Sequence, residues 1–285
     1  MINVNNLSFS YTNNPFIENI SFNVNKGEIF GFLGPSGAGK STLQKILIGI
    51  IKQYSGSVKI LGKEMKHSKN DYYEKIGIDF EFPSLYEKLT ARENLKYFSS
   101  LYKNKSSNID NLLERVGLNN DANKKVSDFS KGMKSRLNFI KALVHSPEIL
   151  FLDEPTSGLD PANSRIMKNI ILEEQKKGTT IIITTHNMYD AEELCNRVAF
   201  IVDGKIKALD TPHNLIMKKG AAKIKYSYIK DNIEVFNECL INETSQDKTL
   251  NYLISNGKLS TIHSCEPNLG DIFIDVTGRG LSWDS

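Results

Sequence analysis

One stretch, Gly34-Pro35-Ser36-Gly37-Ala38-Gly39-Lys40-Ser41-Thr42, constrains this chain more than any other. It fits G-x-x-x-x-G-K-[ST] at every fixed position. Apolar Ile29-Phe30-Gly31-Phe32-Leu33 precedes it, and Leu43-Gln44-Lys45-Ile46-Leu47 follows with a helix pattern. A strand, a glycine-rich loop and a helix in that order are the nucleus of an α/β fold. Glycines let the backbone curl so that main-chain N–H groups converge at the start of the helix, which makes an anion site. Lys40 then reaches toward β- and γ-phosphates, and the Ser41 hydroxyl toward Mg²⁺. A plain glycine-rich turn would supply neither the flanking strand nor the Lys-Ser pair. The stretch implies a site for a nucleoside triphosphate.

The rest of the composition narrows the setting. The 285 residues are 40% hydrophobic and 24% charged, enough to bury a real core. A net charge of +3 is too mild to argue for nucleic acid or anionic lipid. The cysteines, Cys195, Cys239 and Cys265, are odd in number and scattered, which favours a reduced compartment over a disulfide framework or a zinc site. Met1-Ile2-Asn3-Val4-Asn5-Asn6 lacks the basic and apolar regions of a signal peptide. The strongest apolar runs, around Ile149 to Leu152 and Thr179 to Thr185, fall far short of the roughly 20 residues that span a bilayer. A cytoplasmic protein is expected, with any membrane work done through a partner.

Along the chain, Ile2 to Phe32 reads as β-rich, and a hairpin is expected around Ser55 to Gly62. From Ser84 to His145 the pattern turns helical. Thr90-Ala91-Arg92-Glu93 is a capping box, and a second helix runs from Asn111 to a glycine stop at Gly117. Buried-strand signals return at Ile149 to Leu152 and Ile181 to Thr184, with a helix from about Ser164 to Lys177 between them. That is a strand–helix–strand unit of a parallel sheet. Composition shifts near Lys218-Lys219-Gly220, and a small α+β appendage is expected beyond it.

Two further groups of residues carry chemistry. Ile149-Leu150-Phe151-Leu152-Asp153-Glu154-Pro155 is a buried strand ending in two acids. Asp153 is placed to serve Mg²⁺, and Glu154 to orient and deprotonate an attacking water. Ser130, in Asp128-Phe129-Ser130-Lys131-Gly132-Met133, is a natural N-cap for a helix with apolar Met133, Leu137, Ile140 and Val144. A capped helix start is a second anion site.

With these motifs in this order, the chain resembles the ATP-binding cassette (ABC) ATPases. The family's signature, commonly L-S-G-G-Q, is matched by Phe129-Ser130-Lys131-Gly132-Met133, its D-loop by Ser157-Gly158-Leu159-Asp160, and its switch histidine by His186 after Thr185. Tyr11 stands where the family stacks an aromatic ring on adenine. The resemblance runs from about Leu7 to about Asp210. It implies a P-loop NTPase fold with a RecA-like core, an N-terminal antiparallel β region and a helical subdomain at about 84–145. On this reading residues 1–217 form the nucleotide-binding domain and 218–285 a C-terminal extension. It also implies an ATP sandwich in which Ser130 and Gly132 of one subunit reach the γ-phosphate held by Gly34 to Thr42 of the other. Lys40, Glu154 and His186 would be the catalytic set.

The chain departs from the family pattern in two places. Glu81, in Ile76-Gly77-Ile78-Asp79-Phe80-Glu81-Phe82-Pro83, stands where a glutamine is usual; its carboxylate still offers oxygen to Mg²⁺ but adds negative charge. Lys131 and Met133 spell the signature S-K-G-M. That spelling, and the tail Glu266-Pro267-Asn268-Leu269-Gly270-Asp271-Ile272-Phe273, resemble prokaryotic exporters whose ATPase and permease are separate chains. This branch includes drug, antibiotic and peptide exporters. The resemblance therefore implies an ATPase subunit bound to a multi-spanning permease at the inner face of the membrane. The intact acids, histidine and signature serine favour a homodimer of these subunits. A soluble ABC protein acting on ribosomes is disfavoured by the single phosphate loop, one acting on DNA by the lack of sustained heptads. A GTPase is disfavoured because Asn123-Lys124-Lys125-Val126 is not N-K-x-D.

Overall fold

The most continuously apolar segments of the chain lie side by side in one sheet. The computed structural model describes residues 1–103, 108–219, 223–231, 233–265 and 267–278. Gly220, Glu266 and residues 279–285, which enter the sequence expectations above, lie outside the described residues. The chain divides into two compact units, Met1–Asp210 and a second beginning at Thr211.

In the first unit, strands β1 (Ile2–Phe9), β2 (Ile17–Val24) and β3 (Ile29–Leu33) lead into helix α1 (Lys40–Leu47). Then come β4 (Ser55–Ile60), β5 (Lys63–Glu64), α2 (Asn70–Tyr73) and β6 (Ile76–Asp79). A helical stretch follows, with α3 (Ala91–Ser100), α4 (Ile109–Arg115) and α5 (Lys131–Lys141). The unit closes with β7 (Ile149–Asp153), α6 (Pro161–Lys176), β8 (Thr180–Thr185), α7 (Met188–Leu194), β9 (Arg197–Val202) and β10 (Lys205–Asp210).

Two sheets result. β2-β1-β4-β5 is antiparallel, and alternating burial along β1 shows that only one of its faces meets the core. The expected hairpin at Ser55 to Gly62 is present but minor: β4 pairs mostly with β1, and only Lys59 and Ile60 meet β5. The second sheet has the order β10-β9-β3-β8-β7-β6, parallel except for its β10 edge. Every residue of β3 and β8 is buried, as a sheet covered on both faces requires. A single core joins the two sheets: Val4, Leu7 and Ile20 pack with Phe30, Phe32, Leu43 of α1 and Phe151.

Register decides where the loops emerge. Leu33 lies opposite both Thr185 and Phe200, Asp153 opposite Thr184, and Asp79 opposite Leu152. The carboxyl ends of β3, β8, β7 and β6 are therefore level, and the residues that follow them share one edge. Ligand sites of open α/β sheets lie at this edge.

Local chemistry sets the helix starts. Thr90 and Glu93 close the expected capping box, with Glu93 N donating to Thr90 Oγ1 at 3.2 Å and Thr90 N to Glu93 Oε2 at 2.8 Å. Helix α6 begins earlier than Ser164, because Asp160 accepts from Asn163 N at 3.0 Å and Pro161 occupies the first turn, where it is pre-shaped for a helix. Beyond α3 the Tyr102 ring stacks on His145, with centroids 3.7 Å apart, while His145 Nε2 donates to Ile76 O at 2.9 Å.

The second unit comprises α8 (Pro212–Lys219), β11 (Lys223–Lys230), β12 (Ile233–Leu240), α9 (Lys248–Ser255), β13 (Leu259–Cys265) and α10 (Leu269–Thr277). Its antiparallel sheet runs β12-β11-β13. Leu250 and Leu253 of α9 cover Tyr226, and Asp247 both caps α9 and accepts from the Tyr226 hydroxyl at 2.8 Å.

Candidate functional site

The loop between β3 and α1 is held in shape by its own lysine. Lys40 Nζ donates to Gly34 O at 2.7 Å and to Pro35 O at 3.0 Å. Gly34 admits no side chain, since a Cβ there would lie 2.1 Å from Ile201 O. Gly39 takes φ 108 directly before the helix, a conformation that favours glycine. The backbone can thus fold back over the lysine. Burial lowers the Lys40 ammonium below the ordinary lysine range, and the charges of Glu154, Asp153 and Glu81 pull it partly back.

Next to this loop stand the ends of β7 and β8. Thr184 donates its hydroxyl to Asp153 Oδ1, and lies 3.4 Å from Gln44 Oε1 of α1. Glu154 sits at φ 50, a left-handed conformation that costs a non-glycine residue about 1–3 kcal/mol. Its neighbours hold it there. Glu154 N donates to Thr184 O at 2.9 Å, while its carboxylate accepts from Thr185 Oγ1 at 3.0 Å, His186 N at 3.0 Å and His186 Nδ1 at 2.7 Å. A carboxylate only accepts, so Nδ1 carries the imidazole proton.

These groups meet in a cavity of about 280 Å³. The loop contributes Ser36, Gly37, Gly39, Lys40, Ser41 and Thr42; the strand ends contribute Glu81, Asp153, Glu154 and His186. Phe16 also lines it, a residue that sequence reasoning did not single out and whose only signal was its place directly before the strand that begins at Ile17. Tyr11 is mostly exposed and lies beside the loop, with its hydroxyl 3.0 Å from Thr42 Oγ1 and its ring 5.4 Å from that of Phe16. Gly34 and Pro35 reach the site through Lys40, and Ala38 N donates within the loop to Pro35 O at 3.2 Å.

Ser130 and Gly132 are not among the cavity's lining residues. Ser130 caps α5, accepting from Met133 N at 3.2 Å, so the first turn of this helix offers its remaining N–H groups elsewhere. A Cβ on Gly158 would lie 3.2 Å from Lys131 Nζ, so the signature lysine packs on the D-loop glycine of its own chain.

Several buried polar groups escaped the sequence reading. Asp190 accepts from the Thr156 hydroxyl and from Asn187 Nδ2 at 3.1 Å, and pairs with Lys168 at 3.2 Å, which ties the segment after Glu154 to the helix after His186. Asp79 is hydrogen-bonded to Asn138, and burial pushes its carboxyl up to about 7. A larger cavity of about 570 Å³ lies by α4 and the end of α6, contains none of the residues above, and has Arg115 and Glu174 paired at 2.7 Å.

The donor set can be tested against a metal. Among the described residues no group of three or more His, Cys, Asp or Glu side chains could hold an ion alone. Ser41, Asp153 and Glu81 nevertheless bring hard oxygen donors to one cavity. Such a set fits a small divalent ion that keeps waters and shares a substrate's phosphate oxygens.

Comparison with known proteins is consistent across sequence and structure. A family model described as ABC transporter matches residues 17–157. A fluoroquinolones export ATP-binding protein of Mycobacterium tuberculosis is 45% identical over 286 residues, covering 99% of this chain and 95% of the relative. A solved ATP-binding subunit of an ABC transporter is similar with TM-score 0.69 and 29% identity, over 76% of this chain and 92% of that one. A bacterial ABC transporter cassette solved as a dimer is similar with TM-score 0.65 and 25% identity, over 74% and 98%.

Proposed function

The chain belongs to the ABC transporter family of ATP-binding proteins, and from that premise we propose that it is the ATP-hydrolysing motor of an exporter whose permease is a separate chain. The observation that carries this reading is the convergence of Lys40, Asp153, Glu154 and His186 on one phosphate-loop cavity.

ATP enters with its triphosphate against the loop amides, and Lys40 exchanges its hold on Gly34 O and Pro35 O for phosphate oxygens. Tyr11, flanked by Phe16, offers a ring face to adenine. Ser41, Asp153 and Glu81 would hold Mg²⁺, which when bound neutralises charge gathering on the phosphate oxygens. Glu154 orients a water and takes its proton as the water oxygen attacks the γ-phosphorus; the bond to the bridging oxygen breaks and ADP leaves. With Nδ1–H donating to Glu154, His186 keeps Nε2 as an acceptor for the attacking water.

Ser130 and Gly132 stand outside the cavity of their own chain. Their anion-binding helix start suits the γ-phosphate of a second copy, so that ATP joins a homodimer and hydrolysis releases it. The dimeric cassette noted above supports this arrangement. Within the nucleotide-binding domain, 1–217, the helical subdomain at 84–145 exposes Tyr86, Tyr97 and Leu101, with the Tyr86 and Tyr97 rings 4.9 Å apart, a surface suited to a permease's cytoplasmic helix. Among the described residues no helix is long and apolar enough to cross a membrane. Attachment to the inner face would therefore run through the permease. The extension, 218–285, is assigned a part in dimer contact. The cargo falls in the drug, antibiotic or peptide class of the exporter branch that the signature resembles, and the mycobacterial relative, named for fluoroquinolones export, supports a drug.

The test is Glu154→Gln in the full chain. ATP should still bind and should now hold a stable dimer on size exclusion, while phosphate release falls by about 10²–10⁴-fold. Full turnover in this variant, or no ATP-dependent dimer, overturns the reading, as would failure of the chain to co-purify with a membrane protein.

A further inference from the structure

The loop that carries Glu81 is fastened at both ends by one buried side chain of α5. Before Glu81, Asn138 Nδ2 donates to Asp79 Oδ1 at 2.5 Å and lies 3.4 Å from Phe80 O. After Glu81, Asn138 Oδ1 accepts from Ser84 N at 3.1 Å. Lys141, one turn along the same helix, donates to Asn138 Oδ1 at 2.6 Å and to Ser84 O at 2.9 Å. Its ammonium also lies 4.8 Å from the centre of the Phe98 ring on α3. Asp79 is 4% exposed and Asn138 2% exposed, so neither has water as an alternative partner.

A buried amide satisfied at both its ends is a fixed joint, because releasing either end leaves a desolvated polar group unpaired. What it joins matters. On one side is loop 80–84, which brings Glu81 into the nucleotide cavity; on the other is α5, whose first turn is capped by Ser130. A short helix transmits displacement as a rod. We propose that Asn138 is a positioning residue that couples Glu81, at the nucleotide held by its own chain, to Ser130, which faces the nucleotide of the partner copy. This inference rests on the dimer reading above. Asn138 touches no nucleotide. Its part is to make the two faces of the subunit move together.

A purely structural joint would change stability alone, so the experiment separates ATP binding from dimer closure. Asn138→Ala is placed in the full-length Glu154→Gln background. ATP affinity is measured on dilute monomer, and the ATP concentration for half-dimerisation by size exclusion. Monomer affinity should hold, while half-dimerisation should need about tenfold more ATP, the scale of one lost buried charge-assisted hydrogen bond. The reversed pair Asp79→Asn with Asn138→Asp rebuilds the bond with donor and acceptor exchanged and sets the new carboxylate beside Lys141. It should recover dimerisation that Asn138→Asp alone loses. This pair also carries the test if Asn138→Ala does not fold. Unchanged dimerisation, a parallel loss of monomer binding, or no recovery in a folded reversed pair each overturns the proposal. If Glu154→Gln alone forms no dimer with ATP, the dimer reading falls and takes this inference with it.

Discussion

His186 Nδ1 lies 2.7 Å from Glu154 Oε1, and the backbone N–H of the same histidine donates to the same oxygen at 3.0 Å. One residue thus sets both the position of the carboxylate and the tautomer of its own ring. The arrangement follows from register: Asp153 and Thr184 are opposite each other in adjacent parallel strands, so the residues just beyond them must meet.

His186→Ala removes the imidazole and leaves Glu154 with the Thr185 hydroxyl and one backbone donor. Steady-state phosphate release should fall by about 10²–10³-fold, the range for losing one aligned hydrogen-bonding group at a reaction centre. The KM for ATP should move little, since the loop and Lys40 are untouched. A large rise in KM with unchanged kcat would contradict the assignment.

Glu81 is the acid of the cavity that this chain has in place of an amide. Glu81→Gln keeps an oxygen donor and should keep ATP turnover. Glu81→Ala should separate hydrolysis from transport, read as phosphate release without cargo movement in vesicles carrying the permease. Normal transport by Glu81→Ala would sink the idea that this side chain reports on the nucleotide.

Gly34 lies where a Cβ would meet Ile201 O at 2.1 Å. Gly34→Ala must displace either the loop or β9, and the loop leaves β3, which pairs with β9 in the core sheet. Denaturant unfolding should show a loss of about 1–3 kcal/mol, the usual range for overpacking, together with weakened ATP binding. Wild-type stability would mean that the loop does not approach β9 as closely as described.

Burial lowers the pKa of His145, whose Nε2 donates to Ile76 O under the stacked Tyr102 ring. The unfolded chain therefore takes up a proton near the ordinary histidine pKa of about 6.5, and the folded chain only at lower pH. Because the unfolded state binds more protons in that window, stability falls as pH drops through it. His145→Phe keeps the stacking and removes the titration. The stability difference between parent and variant should shrink from pH 7 to pH 5, and a constant difference would exclude His145 as its source.

What was legible in the sequence was local. The phosphate loop, the Thr90–Glu93 box, the Ser130 cap and the acids closing β7 each depend on a few consecutive residues, and the structure builds each where the pattern puts it. The polar joints were not legible. Asn138 sits within a helical stretch whose neighbours Leu137, Phe139 and Ile140 are buried, and nothing in that run says that Asp79 waits opposite. Asp190 likewise meets Thr156 only because α7 and the loop after β7 follow adjacent strands. Side-chain pairs between distant elements depend on sheet order, and periodicity carries no information on that. The start of α6 at Pro161 was locally readable after all, since Asp160 and Pro161 spell a cap and a first turn ahead of Ser164.

The lysine held by Gly34 O and Pro35 O has a consequence for each round of work. The ordering entropy of the loop is spent when the chain folds, not when nucleotide arrives, and that is the thermodynamic meaning of preorganisation. On the function proposed above, exchange of ADP for ATP then starts from an already shaped cradle, and one part of binding is a swap of carbonyl for phosphate around the Lys40 ammonium. A motor built this way resets without having to refold its grip.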